Sequence, residues 1–153
     1  MIKTERLIIR TASDDEMAVL IAEQEEEELK AAYGEMLEQS KANPQQRQWY
    51  AMWFAELPSG ERVGELCFKG LSCEGTTEIG YGLLPEFWGK GYATEAVKAI
   101  TEWASRQQGV KLIEAETDAE NIASQRVLIK AGFVPTGKNG EEGPRFVWRE
   151  SVQ

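Results

Sequence analysis

The spacing of hydrophobic and polar residues predicts the order of secondary-structure elements in the first third of the chain. Residues 4–10 have an apolar centre and predict a short strand. Ser13 and Glu16 form a capping-box pattern, which predicts that a helix begins one residue after the serine. Apolar residues from Leu29 to Leu37 recur at i, i+3, i+4, i+7 and i+8, which predicts a second helix. Asn43-Pro44 is expected to end it.

The remaining elements follow from the same two periodicities. Pro58-Ser59-Gly60 is a turn signal between two strand-like segments and predicts a hairpin. Gly132 follows a helical repeat and predicts its C-terminal end. The predicted strands are 49–57, 61–69, 76–84, 111–117, 133–136 and 145–149, and the predicted helices are 91–107 and 121–131.

The element order is therefore β-α-α-β-β-β-α-β-α-β-β. One strand–helix–strand unit lies inside an otherwise antiparallel set, which predicts a mixed, mostly antiparallel sheet in an α+β (mixed α/β) fold. The chain has 153 residues, no internal repeat and no long linker. We therefore expect one domain over residues 1–153.

Composition and charge exclude several classes of protein. Seventeen basic and 26 acidic residues give a net charge of −9 and a pI near 4.7, which argues against nucleic-acid binding and suits a cationic partner such as an amine. No apolar run is long enough for a membrane helix, and the first residues lack a signal-peptide pattern, so we expect a cytoplasmic location without membrane contact. The sequence has no histidine, which excludes imidazole catalysis. Its two cysteines are too few for a four-thiolate zinc site, so we expect no metal site.

The clearest chemical signal is a glycine-containing loop between a predicted strand and a predicted helix, GLLPEFWGKGYAT from Gly82 to Thr94. Free backbone amides and the positive end of a helix meet in such a loop, which favours phosphate binding. The Walker pattern is missing, and the partial dinucleotide fingerprint Gly89-x-Gly91-x-x-Thr94 lacks its third glycine. A plain glycine turn into a helix is the alternative.

Three segments of the sequence resemble the GNAT superfamily of N-acetyltransferases and occur in the order that this family has. The segment WGKGYA, which begins at Trp88, resembles the pyrophosphate loop of that family, although Trp88 departs from the first position of its pattern. Asn121-x-x-Ser124, followed by Gly132-Phe133, is similar to the branch that contains ribosomal-protein and small-amine acetyltransferases. The strand EIGY from Glu78 to Tyr81 is the third match.

The resemblance implies acetyl-CoA as the co-substrate. It implies that loop amides hold the pyrophosphate, that the end of the preceding strand runs beside the pantetheine arm, and that Asn121 contacts this arm. A simple helix N-cap is the alternative for Asn121, and the two roles are compatible. The cofactor-binding residues implied are Leu83, Leu84, Gly89, Lys90, Gly91, Tyr92, Ala93, Thr94 and Asn121.

The expected catalytic residues are Ser124 and Glu78. The resemblance points to Ser124 as the donor of a proton to the CoA thiolate, because the family's usual tyrosine position holds Leu128. The base must be a carboxylate, a chain of waters or absent. Glu78, Glu114 and Glu116 lie on the strands that flank the expected cleft, and partial burial would raise the pKa of a glutamate there. We favour Glu78, with a carboxylate paired to Arg or Lys as the alternative for each.

The predicted function is transfer of an acetyl group from acetyl-CoA to a primary amine by direct attack in a ternary complex. The acceptor is expected to be a protein N-terminus, a polyamine or another small amine. Tyr33, Trp49 and Trp53 are expected to line the acceptor cleft, with burial in the core as the alternative. A non-catalytic domain that senses acyl-CoA is the competing function. The chain is expected to act as a monomer or a homodimer.

Overall fold

The computed structural model describes residues 1–148, which form an eight-stranded sheet with helices on both faces. The strands are β1 (Ile2–Lys3), β2 (Ile8–Thr11), β3 (Met52–Glu56), β4 (Arg62–Phe68), β5 (Thr76–Leu83), β6 (Leu112–Glu116), β7 (Val134–Asn139) and β8 (Pro144–Trp148). The α-helices are α1 (Asp14–Glu23), α2 (Glu27–Ala42), α3 (Tyr92–Ser105) and α4 (Ile122–Lys130), and two 3-10 helices cover Pro44–Trp49 and Pro85–Phe87.

The sheet has the mixed character that the sequence predicts. Its strand order is β1-β2-β3-β4-β5-β6-β8-β7, and β5 and β6 form its parallel pair. The other neighbouring strands pair antiparallel. This confirms the predicted α+β (mixed α/β) architecture. None of the helices within residues 1–148 is both long and apolar enough to cross a membrane.

Local signals in the sequence account for most helix ends. Ser13 caps α1, since its hydroxyl accepts from the Glu16 amide while the Glu16 carboxylate accepts from the Ser13 amide. Asn121 caps α4 by accepting from the Ser124 amide at 3.0 Å. Gly132 follows the last turn of α4 with φ +104, the left-handed backbone that glycine adopts without strain.

Two predicted strands differ from the structure at their ends. The segment predicted as one strand over residues 4–10 is two short strands, because the Thr4 amide donates to the Leu7 carbonyl and closes a turn. The strand predicted from Trp49 begins only at Met52, because the chain after Pro44 forms a 3-10 helix. The predicted last strand ends at Arg149, which lies outside the described residues.

The two faces of the sheet support two separate apolar clusters. Trp53 and Ala55 of β3 join the larger cluster with α3 and α4, whereas Met52 and Phe54 join α1 and α2. Because side chains alternate along a strand, the two helix pairs cover opposite faces. We name these the α3/α4 face and the α1/α2 face.

Trp49 and Trp53 belong to the larger cluster, which corrects the prediction that they line an acceptor cleft. Their side chains are 2% and 3% exposed. Both rings pack against Phe68 and Trp103, with centroid separations between 4.9 and 6.2 Å. Burial of such large apolar surfaces explains their position, since water exclusion favours it by about 25 cal/mol per Å².

Candidate active site

The parallel strands β5 and β6 separate partway along their length and open a gap in the sheet. Their pairing ends at Ile79 opposite Ala115 within the described residues, while β5 continues beside β4 to Leu83. The free length of β5 therefore covers residues 80–83. One edge of this segment faces β4, and the other faces the gap.

Backbone groups of Tyr81 and Leu83 point into the gap. The Glu78 carbonyl and the Leu84 amide bond to β4, accepting from Lys69 and donating to Val63. Because alternate residues of a strand bond to opposite neighbours, the odd-numbered residues face away from β4. The Leu83 carbonyl accepts from the Trp88 indole at 3.0 Å. Because the described pairing with β6 ends at Ile79, the Tyr81 and Leu83 amides have no partner strand on this side within residues 1–148.

Leu83 and Leu84, which the sequence predicts to bind the cofactor, differ in whether their backbone amide is available. The amide of Leu84 donates to the Val63 carbonyl at 2.9 Å, so this amide is not available to a ligand. The amide of Leu83 is available. Tyr81, which the motif analysis includes without giving it a role, contributes a second available amide.

The glycine loop follows β5 and ends in the N-terminus of α3. Gly89 and Gly91 have φ of +76 and +82, conformations that glycine adopts without strain. The first amide bonded within the helix is that of Glu95, which donates to the Gly91 carbonyl. In the described part of the chain, no amide from residue 89 to residue 94 has a partner. These amides and the positive helix end form a cradle that suits a pyrophosphate.

Ser124 and Tyr81 meet across the gap. The Ser124 hydroxyl lies 2.6 Å from the Tyr81 hydroxyl, which also donates to the Ser124 carbonyl at 3.1 Å. Burial raises the pKa of Tyr81, and the Ser124 hydrogen bond opposes this rise only in part. The two hydroxyls are therefore protonated near neutral pH and can supply a proton within the gap.

Glu78 lies in an ion-paired cluster, which corrects its assignment as the base. Its carboxylate accepts from Lys69 at 2.7 Å and from Arg145 at 2.8 Å. Burial acts to raise the pKa of Glu78, but these hydrogen bonds outweigh it and lower the pKa. Arg145 also pairs with Glu114 and Glu116. Each of the three strand glutamates therefore has the paired role that the sequence analysis keeps as the alternative.

The α1/α2 face of the gap has a different acidic residue, Glu65 of β4. It lies opposite Gly82, and its neighbour on this face, Cys67, lies opposite Gly80. Since β5 contributes only glycines here, no β5 side chain covers the gap from this face. Burial raises the pKa of the Cys67 thiol, so a thiolate nucleophile is not favoured there.

The pKa of Glu65 is raised whereas that of Glu78 is lowered, because the two carboxylates differ in their contacts with cations. Both side chains are mostly buried, at 24% and 19% exposure. Burial raises the pKa of Glu65, and the Arg62 Nε, which is its ion-pair partner within residues 1–148, is 3.7 Å away and compensates only partly. The sequence analysis misses Glu65. Its position inside the apolar run of β4 is the signal that marks it.

Tyr33 of α2 is half-buried near Glu65. Burial raises the pKa of the Tyr33 phenol, and the Glu65 carboxylate adds to this rise. Tyr33 therefore lies on the α1/α2 face, as Glu65 does, whereas the two buried tryptophans lie on the α3/α4 face. Across residues 1–148, no three His, Cys, Asp or Glu side chains are grouped so that they would hold a metal ion.

The chain belongs to the GNAT acetyltransferase family, because the family model described as an acetyltransferase (GNAT) domain matches residues 5–134. The uncharacterized N-acetyltransferase YoaA of Bacillus subtilis (strain 168) is 28% identical over 149 residues, which cover 90% of this chain and 84% of that protein. The protein is therefore an acetyl-CoA-dependent N-acetyltransferase. Acetyl-CoA is its co-substrate.

Solved structures share the fold at low sequence identity. A variant of the spermidine N-acetyltransferase SpeG from Vibrio cholerae matches with a TM-score of 0.75 at 14% identity, over 95% of each chain. The structure of AAC(6')-Ib in complex with ribostamycin and coenzyme A matches with a TM-score of 0.67 at 20% identity. That match covers 95% of this chain and 94% of the other. Likeness at these identities concerns the fold alone.

Proposed function

We propose that the protein acetylates a primary amine of a small cationic molecule, which attacks acetyl-CoA directly in a ternary complex. The observation that carries this proposal is the gap between β5 and β6, with the Tyr81–Ser124 hydroxyl pair across it and the amide cradle at its end. A polyamine or an aminoglycoside fits the description, and the names of the structural neighbours include a spermidine acetyltransferase. A protein N-terminus is a further acceptor of the same chemistry. The two free thiols, Cys67 and Cys73, suit a cytoplasmic location.

The co-substrate lies in the gap in this proposal. The amides of Gly89, Lys90, Gly91, Tyr92, Ala93 and Thr94 hold its pyrophosphate, and Lys90 adds positive charge at the rim. The open edge of β5 pairs with the pantetheine arm as an added strand would. Asn121 keeps its capping oxygen on Ser124 and turns its amide nitrogen toward the same arm.

The reaction then needs three groups around the thioester. The amine nitrogen attacks the carbonyl carbon, and the amide of Leu83 or Tyr81 stabilises the charge that develops on the oxygen. The carbon–sulfur bond breaks, and Ser124 gives its proton to the thiolate, with Tyr81 holding the serine hydroxyl in place. Before the next turnover, solvent water returns a proton to Ser124 and takes one from Glu65. Glu65 takes the proton that the amine loses, since a raised pKa brings a carboxylate nearer the range of a useful base.

The surroundings of Glu65 favour a cationic acceptor. A cavity of about 320 Å³ lies between α1 and strands β3 and β4, beside Arg62. Asp15, Glu16 and Glu23 are among its lining residues, and the acidic residues 25–28 lie just before α2 and in its first turn. This charge attracts an ammonium group but also raises the pKa of the amine, which makes a nearby base useful. Tyr33 contributes an aromatic wall on the same face.

The loop assignment is tested by Gly91→Glu. The new carboxylate would lie in the cradle and repel the pyrophosphate, so acetyl-CoA binding is expected to be lost. The control is Gly60→Glu, in the β3–β4 turn. Gly60 has φ +95 and Gly91 φ +82, and open space surrounds the Gly60 position. Both variants therefore carry similar backbone strain, about 1–2 kcal/mol, but only one approaches the co-substrate.

Thermal unfolding with acetyl-CoA, CoA, ATP and NAD measures this binding. Ligand at one hundred times its Kd stabilises by about 2.7 kcal/mol, or about 5–10 °C for a domain of this size. We expect the shift with acetyl-CoA and CoA in the wild type and in Gly60→Glu, but not in Gly91→Glu. An unchanged shift in folded Gly91→Glu would contradict the loop assignment.

Thiol release with a panel of amines then tests the acceptor. Spermidine, an aminoglycoside and a short peptide with a free N-terminus cover the three chemistries. CoA binding without transfer to any amine would instead support an acyl-CoA sensor. Faster transfer to neutral than to cationic amines would contradict the role of the acidic surroundings.

A further inference from the structure

Arg6 lies against the glycine loop, although it precedes Lys90 of that loop by 84 positions in the sequence. Its Nη1 donates to the Lys90 carbonyl at 2.9 Å, and its guanidinium carbon is 4.2 Å from the centre of the Tyr92 ring. Its Nη2 lies 3.3 Å from where a side chain on Gly91 would begin. Arg6 therefore contacts three consecutive residues at the start of α3.

A carboxylate in the first turn of α3 fixes the orientation of Arg6. The Glu95 oxygens accept from the Arg6 Nε at 2.7 Å and from the Arg6 amide at 2.9 Å, and Thr4 donates to the same group. Burial acts to raise the pKa of Glu95, but these hydrogen bonds outweigh it and lower the pKa. Glu95 is thus charged at neutral pH, and Arg6 neutralises this charge beside the cradle.

One nitrogen of the guanidinium, Nη2, is left without a partner in the described residues. Nη1 and Nε have the partners named above, whereas Nη2 donates to no group in the part of the chain that the structure describes. The side chain is 40% exposed, so a ligand can reach it. A guanidinium with an unused nitrogen beside loop amides is suited to an anionic oxygen.

We propose that Arg6 is a positioning residue for the pyrophosphate cradle, which it holds through Lys90 and Tyr92 and supplements with the unused N–H groups of Nη2. This inference rests on the proposed role of the loop. Arg6 acts in two ways. It fixes the peptide groups on either side of Gly91, and it prevents the Glu95 carboxylate from repelling the phosphates.

The test compares three acetyl donors in steady-state kinetics. Acetyl-CoA carries the pyrophosphate and the 3′-phosphate, acetyl-dephospho-CoA keeps only the pyrophosphate, and S-acetylpantetheine has neither. For Arg6→Gln we expect KM to rise about 10-fold for the first two donors, the size of one charge-assisted hydrogen bond. KM for S-acetylpantetheine is expected to stay within about twofold, and kcat to change little with any donor.

Two further variants separate charge from geometry. Arg6→Lys keeps the charge but lacks the planar group that bonds Lys90 and Glu95 together, so it should restore part of the lost preference for acetyl-CoA. In Arg6→Gln combined with Glu95→Gln, removal of the unneutralised carboxylate should also restore part of it. A residue that only stabilised the fold would show neither recovery.

Arg10→Gln is the matched control. Arg10 lies on β2, four residues after Arg6, and pairs with the carboxylates of Glu16 and Glu56, but it lies on the α1/α2 face away from the loop. It is expected to lower the melting temperature without changing the ratio of KM values between donors. Circular dichroism and thermal unfolding establish that each variant is folded.

The outcomes distinguish a failure of the role of Arg6 from a failure of the proposed pyrophosphate site in the glycine loop. If the wild type used S-acetylpantetheine as well as acetyl-CoA, the loop assignment would fail, and the role of Arg6 with it. If the wild type preferred acetyl-CoA and Arg6→Gln kept that preference in full, only the role of Arg6 would be overturned. An equal rise in KM for all three donors would also overturn it.

Discussion

Ser124→Ala offers the sharpest test of the proposed chemistry. The change removes the hydroxyl that lies 2.6 Å from the Tyr81 hydroxyl, and leaves the backbone contact between Tyr81 and the Ser124 carbonyl in place. The amide of residue 124 also keeps its bond to the Asn121 side chain. The loop amides and the open edge of β5 are unaffected, so the binding of acetyl-CoA is expected to change little.

The expected loss in turnover follows from the role of a general acid. Proton transfer by a positioned side chain contributes about 10²- to 10⁴-fold, and we expect kcat to fall about 10²- to 10³-fold, or about 2.7–4 kcal/mol of barrier. The loss of one hydrogen bond between hydroxyls costs about 1 kcal/mol of folding stability. The melting temperature should therefore fall by only about 2–4 °C.

Tyr81→Phe provides a second point in the same series. Ser124 keeps its hydroxyl but loses the partner that orients it, so a smaller fall in kcat, about 10-fold, is expected. Because the two residues act as a unit, the double variant should be little slower than Ser124→Ala alone. Ser105→Ala is the control, since Ser105 bonds only the Glu102 carbonyl near the end of α3.

The assay is CoA release with acetyl-CoA varied at a saturating amine, together with acetyl-CoA affinity from equilibrium binding. A fall in kcat with Kd unchanged within about threefold would support the role of Ser124 as the acid. Equal losses in affinity and turnover would refute this reasoning and make Ser124 a binding or structural residue. An unchanged kcat would leave solvent as the source of the proton.

Two further predictions concern the carboxylates. Glu78→Gln removes one partner from Lys69 and Arg145. We expect a loss of about 1 kcal/mol in the free energy of unfolding, since the pairs are partly exposed, and a kcat/KM within about threefold of wild type. A 100-fold loss in kcat/KM would restore Glu78 as the base. Glu65→Gln is expected to lower kcat/KM by about 10²-fold or more and to remove its acidic limb. Because burial raises the pKa of Glu65, its effect on stability becomes less favourable as the pH rises from about 4.5 through the folded-state pKa. The variant should therefore match wild type in melting temperature at low pH and exceed it near neutral pH, and an opposite trend would contradict the burial argument.

The sequence by itself determines the features that depend on neighbouring residues. The capping box of α1, the end of α2 at Asn43-Pro44 and the glycine that ends α4 are local hydrogen-bonding and backbone preferences. The glycine loop and the Asn121–Ser124 spacing are also local. These patterns suffice for the order of elements and for the family, because each involves only a few consecutive residues.

The tertiary structure decides which side chains meet. Alternation places Glu78 and Glu65 on the same face of the sheet but does not identify their cations. Glu78 meets Arg145 across 67 positions of the chain, whereas the cation that pairs with Glu65 within residues 1–148 is Arg62, at the longer separation of 3.7 Å. Their pKa values therefore move in opposite directions, because the nearby positive charges outweigh burial in one case and not in the other.

Long-range packing also explains the different positions of the aromatic residues and of the two arginines, Arg6 and Arg10. Trp49 and Trp53 are core residues because α3 packs on their side of the sheet, which periodicity within their own segment does not reveal. Arg6 reaches the loop because the turn between β1 and β2 places it beside the start of α3, whereas Arg10 lies on β2 and points to the α1/α2 face. Short-range preferences determine the elements, but charge pairing, burial and the gap between β5 and β6 arise only when distant strands become neighbours.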